Sequence, residues 1–289
     1  MGYRARNITI CTVLTGPIYA FLVFRIIRWG WLPFTFGMSV GLRLLISIIA
    51  GFVIAFVASV LILYLNPKSR AQAAVQTEYE KNGYSDRYIE LLQTEVNRLS
   101  GKNDTSPVYL GYIRSLANAY LFHHDYQAAI ETINLISPEV MMRKMGNYPG
   151  GGMQTVQYFG VQMAICESLK DPNRAEAVMR DAYPYIQANY GKSALGDIVI
   201  DEYYIMYYCI FGNYDQAFVY ANHGMNRGDK PRFRLYGNVL YARVYMNMGD
   251  YDNADRYLDE ASTYAKTNNE KRTVLMEKEE VKRKRNGEL

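Results

Sequence analysis

Gly212-Asn213-Tyr214-Asp215-Gln216-Ala217 returns 37 residues on as Gly249-Asp250-Tyr251-Asp252-Asn253-Ala254, and His124-Asp125-Tyr126-Gln127-Ala128-Ala129 is a looser copy. Each copy follows a stretch of helical pattern and opens another. Glycine tolerates the left-handed backbone that often ends a helix. Asn or Asp then satisfies free amides at the next helix start. A turn that recurs in this way marks a helix-pair repeat, and such repeats stack into a solenoid.

The residues around the turns follow suit. Tyr241, Ala242 and Tyr245 lead into one, with Ala254, Leu258 and Ala261 after it; Tyr204, Ile205 and Tyr208 lead into another, with Ala217, Ala221 and Gly224 after it. Large residues at i and i+4 make the apolar stripe of a first helix. Small residues let the second helix lie close. Ile113, Leu116, Ala117 and Tyr120 precede the 124–129 copy, and looser units are expected at 70–99 and 153–190, the last with Asp171–Ala177 in place of the turn. After Pro67 the pattern is helical throughout, with no period-two strand.

These motifs resemble the tetratricopeptide repeat, whose unit carries Gly-Asp-Tyr-x-x-Ala at its turn. The resemblance covers roughly 200 residues. It departs from the family in the first helix, where Ala117, Ile205 or Ala242 stands for a glycine, and at 171–177, which lacks the tyrosine. It implies an all-α, right-handed solenoid of four to five helix pairs over residues 67–289, closed by a capping helix at Asn269–Arg285. Val274, Leu275 and Val281 would cover the last repeat, and Glu279–Arg283 and Glu280–Lys284 would pair on the solvent side. It further implies a groove that binds a peptide or partner protein, without enzymatic activity. First-helix residues one place before the core stripe are the candidates to line it: Tyr203, Tyr207, Asn238 and Arg243, with Arg114 and Asn118. Tyr204 and Tyr208 are expected in the core.

The segment before the repeats has a different composition. Residues 1–77 contain no Asp or Glu, so the net charge of +4 belongs to this end and gives no support to nucleic-acid binding. Leu44–Leu65 is uncharged and almost wholly apolar, and 22 helical residues reach about 33 Å, enough to cross a hydrocarbon core of ~30 Å. Ile8–Phe24 reaches spanning length if Ile26 and Ile27 join it and Arg25 snorkels. A signal peptide is the alternative for this run, but no small-x-small cleavage site follows it. Residues 1–66 therefore read as a two-helix transmembrane anchor, with Arg28, Trp29, Trp31 and Pro33 in an interfacial connection. Thr12, Gly16 and Ala20 in the first span, and Ser47, Gly51, Ala55 and Ser59 in the second, recur every four residues. Such a stripe packs two helices closely, within a hairpin or between two copies as a homo-oligomer. The distribution of bases favours a cytoplasmic repeat domain, at the plasma membrane if the chain is bacterial.

Motifs for chemistry are weak. Gly191-Lys192-Ser193 resembles the end of a phosphate-binding loop, yet Ile186 stands where the upstream glycine belongs. Gly150-Gly151-Gly152 reads as a flexible connection. His123 and His124 point apart at a helix end, so no metal site is expected, and neither is any cofactor. Cys11, Cys166 and Cys209 are scattered, which suggests no disulfide framework. Asn103-Asp104-Thr105 matches a glycosylation pattern. Lys282–Arg285 is a basic cluster at a helix end. Two alternatives to a scaffold are an accessory subunit of a membrane transport or enzyme complex, and an assembly factor that oligomerises through its spans.

Overall fold

The computed structural model describes residues 3–28, 38–65, 67–100, 106–136 and 151–288; the Trp29–Pro33 connection, Asn103–Thr105 and Gly150 lie outside them. The described residues form thirteen helices and no strand. These are α1 (Tyr3–Arg28), α2 (Val40–Leu65), α3 (Pro67–Asn82), α4 (Asp86–Ser100), α5 (Pro107–Phe122), α6 (Tyr126–Ile133), α7 (Gly151–Leu169), α8 (Pro172–Asn189), α9 (Ala194–Ile210), α10 (Tyr214–Met225), α11 (Pro231–Met248), α12 (Tyr251–Tyr264) and α13 (Asn268–Arg285). The chain divides into two compact units, Met1–Tyr79 and Glu80–Leu289. Gly151 and Gly152 open α7 instead of extending a loop.

In the first unit α1 and α2 pack on each other, and each is long and apolar enough to cross a membrane, over Ile8–Ile27 and Val40–Leu61. The small-residue stripes meet at this contact. A Cβ on Gly51 would stand 2.3 Å from the Ala20 amide nitrogen, and one on Gly16 would stand 2.6 Å from the Phe52 ring. Ala20, Ser47, Ala55 and Ser59 are buried, while Thr12 is half-buried. Outward-facing Val13, Leu14, Ile18, Phe21, Val53 and Phe56 are largely exposed.

In the second unit one turn recurs four times. Between α5 and α6, α7 and α8, α9 and α10, and α11 and α12, a single residue is left-handed: His124, Lys170, Gly212 and Gly249. The amide of the following residue donates back to the carbonyl five residues earlier, as in Asp125 to Tyr120, Asp171 to Cys166, Asn213 to Tyr208 and Asp250 to Tyr245. That same residue caps the next helix: Asp125 accepts from the Ala128 amide, Asp171 from Arg174, Asn213 from Gln216 and Asp250 from Asn253. Two orphan carbonyls and one orphan amide are thereby satisfied in three residues. His124 and Lys170 take the left-handed position despite their side chains, because the capping pair over-determines it.

The pairs join in sequence. Helix α9 packs on α10, α10 on α11 and α11 on α12, and the first helices also meet in order, α5 with α7, α7 with α9 and α9 with α11. Ala217, Ala221, Ala254 and Ala261 are fully buried where second helices close on first ones. Gly224 and Gly237 let α10 and α11 come closer still, since a Cβ on Gly237 would lie 2.8 Å from Met225 Cα. Within each of the last two pairs three tyrosines stack. Tyr204 and Tyr208 of α9 face Tyr220 of α10, with centroids 4.4 and 5.7 Å apart; Tyr241 and Tyr245 of α11 face Tyr257 of α12 at 4.9 and 5.5 Å. Such ring pairs add about 0.5–1.5 kcal/mol each beyond the area they bury.

Candidate functional site

The six groove residues expected from the sequence do not form one surface. Tyr203 is 1 % exposed and its hydroxyl meets no partner, so it belongs to the core. Asn238 is wholly buried and donates to the Arg234 carbonyl within α11. The reason is shared: α9 and α11 each touch a neighbour on more than one side, so the position beside the core stripe is covered as well. Tyr207 is half-buried against Phe211, with ring centroids 4.9 Å apart. Arg114 reaches from α5 to Gln154 and Gln157 of α7, at 2.6 and 2.5 Å, and braces the two first helices. Burial pushes its guanidinium below the ordinary arginine range. Asn118, one turn on, is half-buried.

Arg243 alone stands at the centre of a polar network, and the network is already filled. Its guanidinium holds Glu202 of α9 on one side and Glu277 of α13 on the other, the latter at 2.5 Å. Burial works against this charge, yet Glu202 and Glu277 hold it well above the ordinary value. Asn247, one turn along α11, donates to Glu167 of α7 at 3.0 Å. Burial raises the Glu167 carboxyl, against the pull of Lys284 and Arg243. Residues of α7, α9 and α11 thus converge on the side where α13 lies.

Helix α13 crosses the ends of distant helices. Arg283 donates to the Phe122 carbonyl at 3.1 Å, at the C-terminus of α5, and lies over the Phe122 ring. It also meets His124 Nε2 at 3.0 Å, while Glu280 stands 3.7 Å from the same nitrogen. Burial first, then Arg283 and Lys284, hold His124 below the ordinary imidazole value. Its Nε2 therefore accepts from Arg283, and its Nδ1 turns to the Tyr126 hydroxyl at 3.0 Å. Arg272 donates to the Lys81 carbonyl at the end of α3. Both arginines meet the carbonyl end of a helix, where the backbone dipole favours a cation.

The sequence expects Val274, Leu275 and Val281 of α13 to cover the last helix pair. Val274 and Val281 are buried in the same apolar cluster as Leu235, Val239, Ala254 and Leu258. Burying each is worth about 1.5–3 kcal/mol. Leu275, expected beside them, is 44 % exposed. The helix starts with a capping box between Thr267 and Glu270. Burial opposes the Glu270 charge, but the Thr267 and Lys266 amides win and hold it below the usual carboxylate range. Arg283, expected to pair along its own helix with Glu279, is spent on Phe122 and His124 instead.

A second polar cluster was not singled out by the sequence. Arg227 bridges Asp197 and Asp201 of α9 at 2.8 and 2.7 Å, and the Gly191 amide donates to Asp197 at 2.7 Å. His223 Nδ1 stands 3.8 Å from Asp201. Asp201 is wholly buried, and burial raises its carboxyl against the pull of Arg227. The i,i+4 spacing of the two aspartates was the available signal. The cluster ties the α8–α9 connection to the end of α10. The Gly191-Lys192-Ser193 stretch there serves as a helix start, with Ser193 capping Gly196. Cys11, Cys166 and Cys209 are free thiols. Burial raises both inner thiols, Cys166 to about 11. Among the described residues no three metal-ligating side chains gather. Compared with known protein families, curated proteins and solved structures, the chain matches none.

Proposed function

We propose that this chain is a membrane-anchored scaffold that binds a protein or peptide. In this reading α1 and α2 form a transmembrane hairpin, and the helices after them form a tetratricopeptide-like, right-handed solenoid on the cytoplasmic side. The observation that carries it is the turn repeated between four successive helix pairs, each pair packed on the next. Architectures of this kind grow by nearest-neighbour contacts and present an extended face rather than an enclosed pocket. Half-buried Asn118 of α5 and Tyr207 of α9 are its candidate contact positions. In this reading the chain is non-enzymatic. Tethering raises the local concentration of whatever is bound.

Two experiments test this. A photo-crosslinker at Asn118 or Tyr207 of the full chain in native membranes is expected to give one discrete protein adduct, absent when the crosslinker is at outward-facing Val53. Adducts to lipid alone would overturn the reading. Thiol labelling of single cysteines at Lys170 and Lys192 in intact and opened cells reports the side of the membrane. Assembly through the spans is the less favoured alternative, because the small-residue stripes are already engaged between α1 and α2.

A further inference from the structure

A buried carboxylate of α9 is only half satisfied. Asp201 Oδ2 accepts two bonds from Arg227, at 3.1 and 2.7 Å, but Asp201 Oδ1 has no hydrogen-bond partner. Leaving a buried acceptor without a donor is costly, and more so when it is charged. Facing Oδ1 at 3.8 Å is Nδ1 of His223, on α10. That separation is too long for a hydrogen bond. Instead Nδ1 lies 3.4 Å from the hydroxyl of Tyr190, the residue that closes α8.

The two protonation states of the ring ask for different partners. A neutral imidazole with its hydrogen on Nε2 accepts at Nδ1, and an imidazolium donates there. Burial, then the Asp201 charge, hold the Tyr190 phenol above its ordinary range, so it keeps its proton and donates to Nδ1. The same hydroxyl accepts from Arg227 at 3.4 Å. Helix α9 also brings Asp197, held by Arg227 and the Gly191 amide. Along α10 the Tyr220 ring stands edge-on to the imidazole at 5.4 Å, and α11, on another side of α10, sends the Tyr241 hydroxyl to Asn222. Two carboxylates therefore share one guanidinium, and an imidazolium at His223 would balance the group. The His223 side chain is 45 % exposed, so water can deliver the proton and the ring has room to shift.

We propose that Tyr190, Asp201 and His223 form a proton-operated latch. At alkaline pH the Tyr190 hydroxyl donates to neutral His223. At acid pH His223 takes a proton from water at Nδ1, turns from Tyr190 and donates to Asp201 Oδ1. Imidazole is the side chain whose charge ordinarily changes between pH 5 and 8. Tyr190 ends one helix pair, whereas Asp201 and His223 belong to the two helices of the next. The proton moves a contact from between two pairs to within one. Arg227 keeps Asp197 and Asp201 in both states, so the cluster stays assembled while the Nδ1 bond changes hands.

The test is a histidine titration of the full chain in detergent. Histidines carrying carbon-13 at Cε1 are followed by NMR from pH 8 to 5, and the resonance missing from a His223→Gln chain is that of His223. It is expected to report proton uptake in this range. Asp201→Asn removes the acceptor of the charged ring and should lower the midpoint by at least about one pH unit. Tyr190→Phe removes the donor to the neutral ring and should raise it. A ring that stays neutral to pH 5, or a midpoint that fails to move in either stated direction, would overturn the proposal. Should the Asp201→Asn chain fail to fold, thermal unfolding takes its place. The charged pair stabilises only where the ring is protonated, so the midpoint of the wild type minus that of His223→Gln should be about 2 °C larger at pH 5 than at pH 8. His124 is present in both chains and cancels. A flat or falling difference would sink the latch.

Discussion

The pairs α9–α10 and α11–α12 are the same inside and different outside. Both have the left-handed glycine, the capping Asn or Asp, the buried alanine and three stacked tyrosines, each set displaced by 37 residues. They part at the positions that look toward what comes next. Phe218 of α10 packs on Tyr241 and Tyr245 of α11, with centroids 5.8 and 5.0 Å away. Its counterpart is Asp255, which pairs with Arg285 of α13 at 2.8 Å. Met206 is buried, whereas its counterpart Arg243 holds Glu202 and Glu277. The interior of a pair is thus set by its own two helices, and its outer positions by whether the neighbour is another pair or a polar helix.

The largest blow to this comparison should come from making the inner pair resemble the outer one. Phe218→Asp places a charge against the rings of α11 and is expected to cost about 3 kcal/mol in thermal unfolding of the detergent-purified chain. A loss below about 1 kcal/mol would mean that the Phe218 contact does not join the pairs. The converse change, Arg243→Met, leaves Glu202 and Glu277 facing each other without a cation. A loss of about 2 kcal/mol is expected, less than for a fully buried pair because water reaches one side. The shared turn gives a signed pair of effects. Gly249→Ala should destabilise by about 1 kcal/mol, while Lys170→Gly should stabilise by roughly half to the whole of that amount, since it relieves the same left-handed strain. Asp255→Ala removes a pair in which Arg285 is 44 % exposed, and should cost less than about 0.5 kcal/mol.

His124 gives a pH dependence where only the direction matters. Its folded pKa lies below its unfolded one, near 6.5, so between the two the unfolded chain binds the extra proton and stability falls as pH falls. Wild type minus His124→Gln, followed by unfolding from pH 8 to 5, should show a loss that begins below about 6.5. A flat difference would mean that the imidazole is not held neutral by burial and Arg283.

The turns were legible because capping chemistry is local: Asp or Asn beside a glycine says the same thing wherever it occurs. Lys170-Asp171 and His124-Asp125 make the same turn without the glycine, and their aspartates were the readable part. The two apolar helices were legible from composition. Tyr204 and Tyr208 read as packed residues and lie in the stack, but Tyr220 and Tyr257, which complete it, were not singled out, since nothing on a second helix tells which tyrosine faces back. Tyr203 and Asn238 lie one position from the core stripe, and periodicity does not tell that a neighbouring helix covers that position. The partners of α13 were out of reach altogether. They are Lys81 and Phe122, which adjacent-residue patterning cannot pair with Arg272 and Arg283.

Those two arginine contacts bridge 191 and 161 positions of chain, whereas every repeated turn closes within six. Closing a long loop costs entropy that local pairs do not bear. The helix pairs are therefore expected to assemble first, and the contacts of α13 with Lys81 and Phe122 last. Their loss is expected to speed unfolding, with little change in the folding rate.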